Sequence, residues 1–230
     1  MENNIFIKNN IEKINRGEYT DFLNINEYNK IVSVLNKLHI KYEVFSSFDD
    51  CSKKIIYITK PNICLLEFIS NEELKHSDIL GMLFSNNINP SKYGDILVKD
   101  NHYYLITFDT IKYYLMNNLI NIKNNLVEVE EKDIEVISDY KLDYEEFNIL
   151  VSSLRLDNVV STITNTSRNN TDILFKNKFI LINYEIMNKK TYNINEGDII
   201  SIRKHGKYIF DSIIKKTNKD KYILKIKKYK

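Results

Sequence analysis

Over the first 150 residues, apolar positions recur in short blocks whose period keeps changing, and each change predicts a new element. Residues 3–17 and 24–39 carry helical spacing. In the second block Ile31, Val34, Leu35 and Leu38 fall on one face, and Asn24 followed three positions later by Glu27 is the pattern of a capping box. Three strand-like runs follow at 41–45, 54–59 and 63–68, separated by Asp49-Asp50 and Lys60-Pro61-Asn62. A helix is expected at 77–85, after which Asn89-Pro90 breaks the chain. Strands at 95–98 and 103–107 should face each other across Lys99-Asp100-Asn101. A helix over 110–119 and strands at 126–130 and 134–137 complete this part.

The last eighty or so residues have a different grammar. A helix is expected over 154–163, with Leu156, Val159, Val160 and Ile163 on one face. Ser167 is a good N-cap for a second helix over 168–176. Short strands are expected at 179–183, 199–203, 208–214 and 222–227. The turns between them are Asn195-Glu196-Gly197-Asp198, His205-Gly206-Lys207 and Asn218-Lys219-Asp220. Two helices and a small sheet in roughly 75 residues make an independent α+β domain by size. The whole chain therefore reads as α+β, with an N-terminal mixed α/β body of one or two subdomains (1–72 and 73–146) followed by a C-terminal domain at 147–230. Residues 128–146 carry nine acids against two lysines and read as a connector that is partly strand.

Composition narrows the function classes. Hydrophobic residues make up 43% and charged residues 28%, as expected of a chain with real cores. Apolar runs are too short for a membrane-spanning helix, and the N-terminus lacks the basic-then-apolar pattern of a signal peptide. Two cysteines, Cys51 and Cys64, without metal-type spacing suit a reducing compartment, so the cytoplasm is the expected location and no membrane contact is expected.

The net charge of +2 hides a strong asymmetry. Residues 151–230 hold 17 Lys+Arg against 7 Asp+Glu, a net of +10, whereas residues 1–150 hold 16 against 24, a net of −8. A basic module on an acidic body points to a polyanionic partner.

Motifs sharpen that reading. Ser153-Leu154-Arg155-Leu156-Asp157, then Thr166-Ser167-Arg168, Asn183, and Glu196-Gly197-Asp198 ahead of a strand together resemble the S4-type (alpha-L) RNA-binding domain. The resemblance implies that the two helix openings present cations to phosphates. The physics agrees, because a helix start offers amides and the positive end of a dipole, and Arg suits bidentate phosphate contact.

A second resemblance spans most of the chain. Phe22-Leu23, Lys41-Tyr42-Glu43-Val44-Phe45, His76-Ser77-Asp78-Ile79-Leu80-Gly81 and Lys92-Tyr93-Gly94-Asp95-Ile96, followed by Ser152 to Asp157, are similar to the YlmH family of bacterial RNA-binding proteins. Membership implies binding to structured rRNA or tRNA, with the large ribosomal subunit as partner, in translation or ribosome-associated quality control. The residues show no catalytic constellation and no metal-ligand spacing, so no catalysis, no cofactor, no metal and no small-molecule substrate is expected, and a monomer is expected.

The expected RNA-contacting residues are Arg155, Ser167, Arg168, Lys176, Lys178, Arg203, Lys204 and Lys207. Several positions depart from the family pattern. Ser77 stands where the family has Arg, Asn170 where it has Lys, Thr171 where it has Ala, Lys178 where it has Gly, and Phe179 and Leu181 where it has Lys.

Rival readings are an RNA-modifying enzyme of the pseudouridine-synthase kind with an RNA-binding appendage, and a cell-division-linked interaction module. The first needs a catalytic Asp in a recognisable loop within 1–150, and none stands out. His76 and Asp78 read as helix capping, and His39, His102 and His205 match no ligand spacing. Tyr103, Tyr104, Tyr113 and Tyr114 read as core, Lys92-Tyr93-Gly94-Asp95 as a tight turn into a strand, and the lysines from Lys225 onward as cover for a sheet edge.

Overall fold

Helices α1 (Glu2–Asn15) and α2 (Ile25–Lys37) bury Ile11, Ile14, Ile31 and Leu35 against each other and against Ile56; Leu38, expected on the same face of α2, instead caps its C-terminus and is 55% exposed. The start of α2 is the expected capping box. The Asn24 side chain accepts the amides of Asn26 and Glu27, both at 3.0 Å, and the Glu27 carboxylate accepts the Asn24 amide at 2.9 Å. Strands β1 (Leu23–Asn24), β2 (Glu43–Phe45) and β3 (Lys53–Tyr57) form an antiparallel sheet in the order β1-β3-β2. The computed structural model describes residues 2–49, 51–99, 102–118, 121–122 and 125–229. These fall into two compact units, Met1–Lys141 and Leu142–Lys230.

The larger sheet of the first unit joins β4 (Ile63–Ser70), β5 (Tyr93–Lys99), β6 (His102–Phe108), β7 (Asn121–Ile122) and β8 (Asn125–Lys132), all antiparallel, in the order β5-β6-β4-β8-β7. Central β4 is buried without a break from Cys64 to Phe68, as expected of a strand covered on both faces. Helices α3 (His76–Ser85) and α4 (Asp109–Asn118) set Ile79, Leu83 and Leu115 against Leu66, Phe68 and Leu105. Because β4 precedes residue 72 yet is the middle strand of a sheet completed by residues 93–132, the sheet runs across the expected subdomain boundary there.

Two elements differ from expectation. Ile134–Ile137 is a 3-10 turn rather than a strand, because the Asp133 carboxylate caps it by accepting the Glu135 amide at 3.0 Å. Tyr113 and Tyr114 are 70% and 48% exposed on α4, since Leu115 occupies its buried face, while Tyr103 and Tyr104 are core. Asp50, Asp100, Asn101 and Leu119, named above in expected turns and a helix end, lie outside the described residues.

The second unit is a six-stranded antiparallel sheet built from β9 (Tyr144–Val151), β10 (Ile180–Ile182), β11 (Glu185–Ile186), β12 (Ile199–Ile202), β13 (Gly206–Lys216) and β14 (Tyr222–Tyr229), with α5 (Leu156–Thr164) and α6 (Arg168–Lys176) packed on it. The order is β11-β10-β12-β13-β14-β9. Leu156, Val159, Val160 and Phe175 meet Ile200, Phe210, Leu224 and Ile226 in the core.

The acidic connector supplies β9, which pairs with β14 from Val151↔Tyr222 to Tyr144↔Tyr229. Glu146 lies 2.9 Å from Lys225, and Glu145 lies 3.8 Å from Lys228, so the acids there form a charge zipper and not a solvated linker. This pairing also corrects the expectation for the last lysines, because β14 is an inner strand with β9 beyond it.

Candidate nucleic-acid interface

The two helix starts of the second unit are built differently. At α5 the Leu156 amide donates to the Tyr192 carbonyl at 2.8 Å and the Asp157 amide to the Lys190 carbonyl at 3.1 Å. The first amides of α5 are therefore spent on the loop that follows β11 and are not free for an anion. At α6 the Ser167 hydroxyl accepts the Asn170 amide at 3.3 Å, and among the described residues the amides of Arg168 and Asn169 have no acceptor. The anion-receptive start is that of α6.

Arg155 and Arg168 line the same groove of about 480 Å³, together with Ser152, Ser153, Asn158 and Lys190. The floor is tied down by the Asn158 side chain, which donates to the Ser152 hydroxyl at 2.8 Å. Arg155 is engaged: its guanidinium donates to both Asp157 carboxylate oxygens, at 3.2 and 2.7 Å, and this bond holds the guanidinium pKa above its ordinary value. Lys190 sits 2.6 Å from Asp172. Among the described residues Arg168 has no acidic partner, so of three cations and two carboxylates the groove keeps one uncompensated charge, and Arg168 carries it.

The eight expected residues do not converge on one spot. Arg155 and Arg168 meet at the groove, and Ser167 caps the helix that carries Arg168 without lining it. Lys176 and Lys178 lie at the far end of α6, about 13 Å along a nine-residue helix. There they meet the turn carrying Arg203 and Lys204, because the Arg203 amide donates to the Phe179 carbonyl at 2.9 Å and Ile180 pairs with Ile202.

Arg203 stacks on the Phe179 ring at 4.7 Å, which gives the position where the family has Lys an apolar role as a cation's platform. Lys178 has φ +57 and closes α6 in a Schellman motif, with the Phe179 amide bonded to the Leu174 carbonyl. The glycine expected there has a backbone reason. Lys207 belongs to neither cluster. Its ammonium donates to the Tyr184 hydroxyl at 2.9 Å and lies over the Tyr184 and Tyr229 rings, on the face of the sheet opposite the core.

The Glu196-Gly197-Asp198 block is structural at each position. Buried Asp198 accepts the Asn183 side-chain amide at 2.8 Å, the Asn195 backbone amide at 2.8 Å and the Tyr192 hydroxyl at 3.2 Å. Burial, and then the Asp198 carboxylate, push the Tyr192 phenol above its ordinary pKa. Gly197 adopts φ +89, and Glu196 accepts the Ile213 amide at 2.7 Å. This loop also carries Lys190 into the groove. No sequence signal marked Lys190, Asn158 or Asp172, because Lys190 arrives on a loop that folds back over the α5 start and Asn158 and Asp172 come to the groove through the packing of α5 and α6.

In the first unit the conspicuous side-chain groups are structural. The Asp78 carboxylate accepts the Lys75 amide at 2.8 Å, the expected helix cap. Gly94 in β5 leaves room for the Phe22 ring, and Asp95 accepts the Ser52 amide at 3.0 Å as well as its hydroxyl. Cys64, Asp109 and Glu131 bring three potential metal ligands together, but the Lys112 ammonium sits 2.7 Å from Asp109 and 3.0 Å from Glu131. Burial, with Glu131 adding, pushes the Cys64 thiol up to about 12, so it stays protonated. The group is an ammonium site. Among the described residues no helix is long and apolar enough to cross a membrane.

Comparison with known proteins places the chain. Residues 63–136 match the family model described as "Putative RNA-binding domain in YlmH". A curated relative from Bacillus subtilis (strain 168), "Ribosome-associated protein quality control protein P2", is 26% identical over 225 residues, covering 90% of this chain and 85% of the relative. The solved structure titled "Cell division protein ylmH from Streptococcus pneumoniae" is similar to 60% of this chain and 96% of its own, at 18% identity and a TM-score of 0.49. The matched segment runs from β4 into the 3-10 turn at Ile134–Ile137. It holds six lysines against twelve acids, so charge alone could not have marked it.

Proposed function

We propose, from the match of residues 63–136 to the YlmH RNA-binding-domain model and the 26% identity to the Bacillus subtilis relative over 90% of this chain, that it is a cytoplasmic, non-catalytic protein that docks on structured rRNA or tRNA. The expected partner is the large ribosomal subunit and the expected process is ribosome-associated quality control, as the name of the Bacillus subtilis relative suggests. The basic second unit, read as an S4-like domain, supplies phosphate contacts, and the first unit supplies the rest of the recognition.

The observation that carries this reading is the α6 start, where, among the described residues, the Arg168 and Asn169 amides have no acceptor and Arg168, with no acidic partner, lines a groove that also holds Arg155. A phosphate oxygen there would accept from the amides and pair with the guanidinium, a charge-assisted arrangement. Lys176, Lys178, Arg203 and Lys204 offer a second, more exposed contact at the other end of α6, of the kind that positions RNA without reading its sequence. Lys207, held by two tyrosines, is assigned a structural role.

The test is sedimentation of wild-type protein and an Arg155→Ala/Arg168→Ala double variant with purified large ribosomal subunits. Wild type should pellet with the subunits and the double variant should not. Equal pelleting of both would place the RNA face elsewhere, and absence of pelleting for either would remove the ribosome from the reading.

A further inference from the structure

The groove's single uncompensated charge is weak for a phosphate site, and the topology of the second unit places a further source of charge beside it. Val151 at the end of β9 pairs with Tyr222 at the start of β14. Ser152 and Ser153, which line the groove, therefore leave the sheet alongside the chain that arrives from the β13–β14 turn. That turn is the tip of a hairpin reaching past the core. The last four positions of β13, Ile213 to Lys216, are exposed, and the register shifts once before them, between Phe210 and Ser212, and once among them, between Ile213 and Lys215.

The tip carries Lys215, Lys216, Lys219 and Lys221 against Asp220 alone. Lys216 pairs with Asp220 at 2.9 Å, and among the described residues Lys215, Lys219 and Lys221 have no acidic partner. The turn is ordered and not a loose loop. The Thr217 amide donates to the Lys221 carbonyl at 2.7 Å, and the Thr217 hydroxyl accepts the Lys221 amide at 3.1 Å. The acids of β9 are engaged further along the sheet with Lys225, Lys227 and Lys228, so they do not neutralise the tip.

We propose that the β13–β14 hairpin tip is a second phosphate-contacting element, continuous with the groove, so that one RNA backbone passes from the α6 start over Ser152 and Ser153 onto Lys221, Lys219 and Lys215. This rests on the RNA-binding reading above and extends it to residues outside the helix openings. The occupant is an RNA backbone and not a protein acid patch, because the Val151↔Tyr222 register sets the lysine-rich tip beside a groove already suited to phosphate. Exposed lysines give a salt-sensitive contact of that kind.

The experiment measures the salt dependence of binding to purified large ribosomal subunits for four proteins: wild type, Arg168→Gln, the hairpin variant Lys215→Gln/Lys219→Gln/Lys221→Gln, and a charge-matched control Lys37→Gln/Lys41→Gln/Lys60→Gln. The six substituted lysines are all exposed, as is Arg168, and circular dichroism and thermal melting should coincide with wild type. The hairpin variant should bind more weakly and lose about 2 from the slope of log affinity against log salt, at roughly 0.7–0.9 per phosphate contact. The control should keep the wild-type slope. If Arg168→Gln binds poorly while the hairpin variant matches wild type, the hairpin proposal is overturned and the RNA reading stands. An equal loss in the control would reduce the effect to general charge and overturn the proposal too. If wild type does not bind, the RNA reading and the proposal fall together.

Discussion

Replacing Asp198 by Asn sets two accounts of the C-terminal unit against each other. Asp198 is buried and accepts three donors, two of which cannot turn away. The Asn195 donor is a backbone amide. The Asn183 side chain is fixed because its oxygen accepts the Ile199 amide at 2.9 Å. An Asn at 198 presents one oxygen and one NH2, so either orientation sets N–H against N–H. Losing one hydrogen bond to a charged acceptor and stranding a buried donor costs about 2–3 kcal/mol.

That loss should appear as hydrogen exchange of the Ile199 and Phe210 amides that is faster by about 30- to 150-fold, at a factor of ten per 1.36 kcal/mol. The same loop delivers Lys190 and the carbonyls that hold the α5 start, so RNA affinity should fall although the variant loses one negative charge. A simple charge account predicts the opposite sign. Unchanged exchange together with tighter RNA binding would refute the idea that this carboxylate organises the groove.

Three further outcomes are expected. Asp157→Asn releases Arg155 from its carboxylate, so RNA binding should tighten at low salt and the salt slope should steepen by up to about 1, read by filter binding at several salt concentrations. Lys178→Gly relieves a left-handed lysine at the end of α6 and should stabilise the second unit by about 0.5–1 kcal/mol in denaturant titration, with only a small loss of RNA affinity. Gly94→Ala puts a Cβ 2.9 Å from Cε1 of Phe22 and 3.2 Å from Cβ of Ile106, and should destabilise the first unit by about 1–3 kcal/mol without touching the basic groove; a thermal melt within a degree of wild type would show that Phe22 can move aside.

Much of the local structure was legible from periodicity and capping chemistry. The Asn24–Glu27 box, the Asp78 cap, Ser167 at the start of α6 and the helix face of Leu156, Val159 and Val160 all appear where the sequence places them. These features depend on residues within a few positions of each other, so a linear reading captures them. The strand pattern of β9 was harder to see, because its outward positions are acids that make sense only opposite the lysines of β14. Ile134–Ile137 looked like a strand by alternation, and a local cap decided otherwise.

The candidate site shows the same division. Sequence alone determined that residues 151–230 form a basic two-helix and sheet unit, that Arg155 and Arg168 stand at helix openings, and that Glu196-Gly197-Asp198 is a turn before a strand. Tertiary structure decided which of these cations is free. Arg155 folds onto Asp157, Lys190 arrives from a distant loop already paired with Asp172, and Lys207 is enclosed by tyrosines from β14 and the β10–β11 turn, which leaves Arg168 uncompensated in the groove. The register of β9 against β14 then brings the groove to the same end of the sheet as the lysine-rich hairpin. The reason is physical: propensity and capping act over a few residues, whereas ion pairing and strand register depend on which segments the packed core brings side by side.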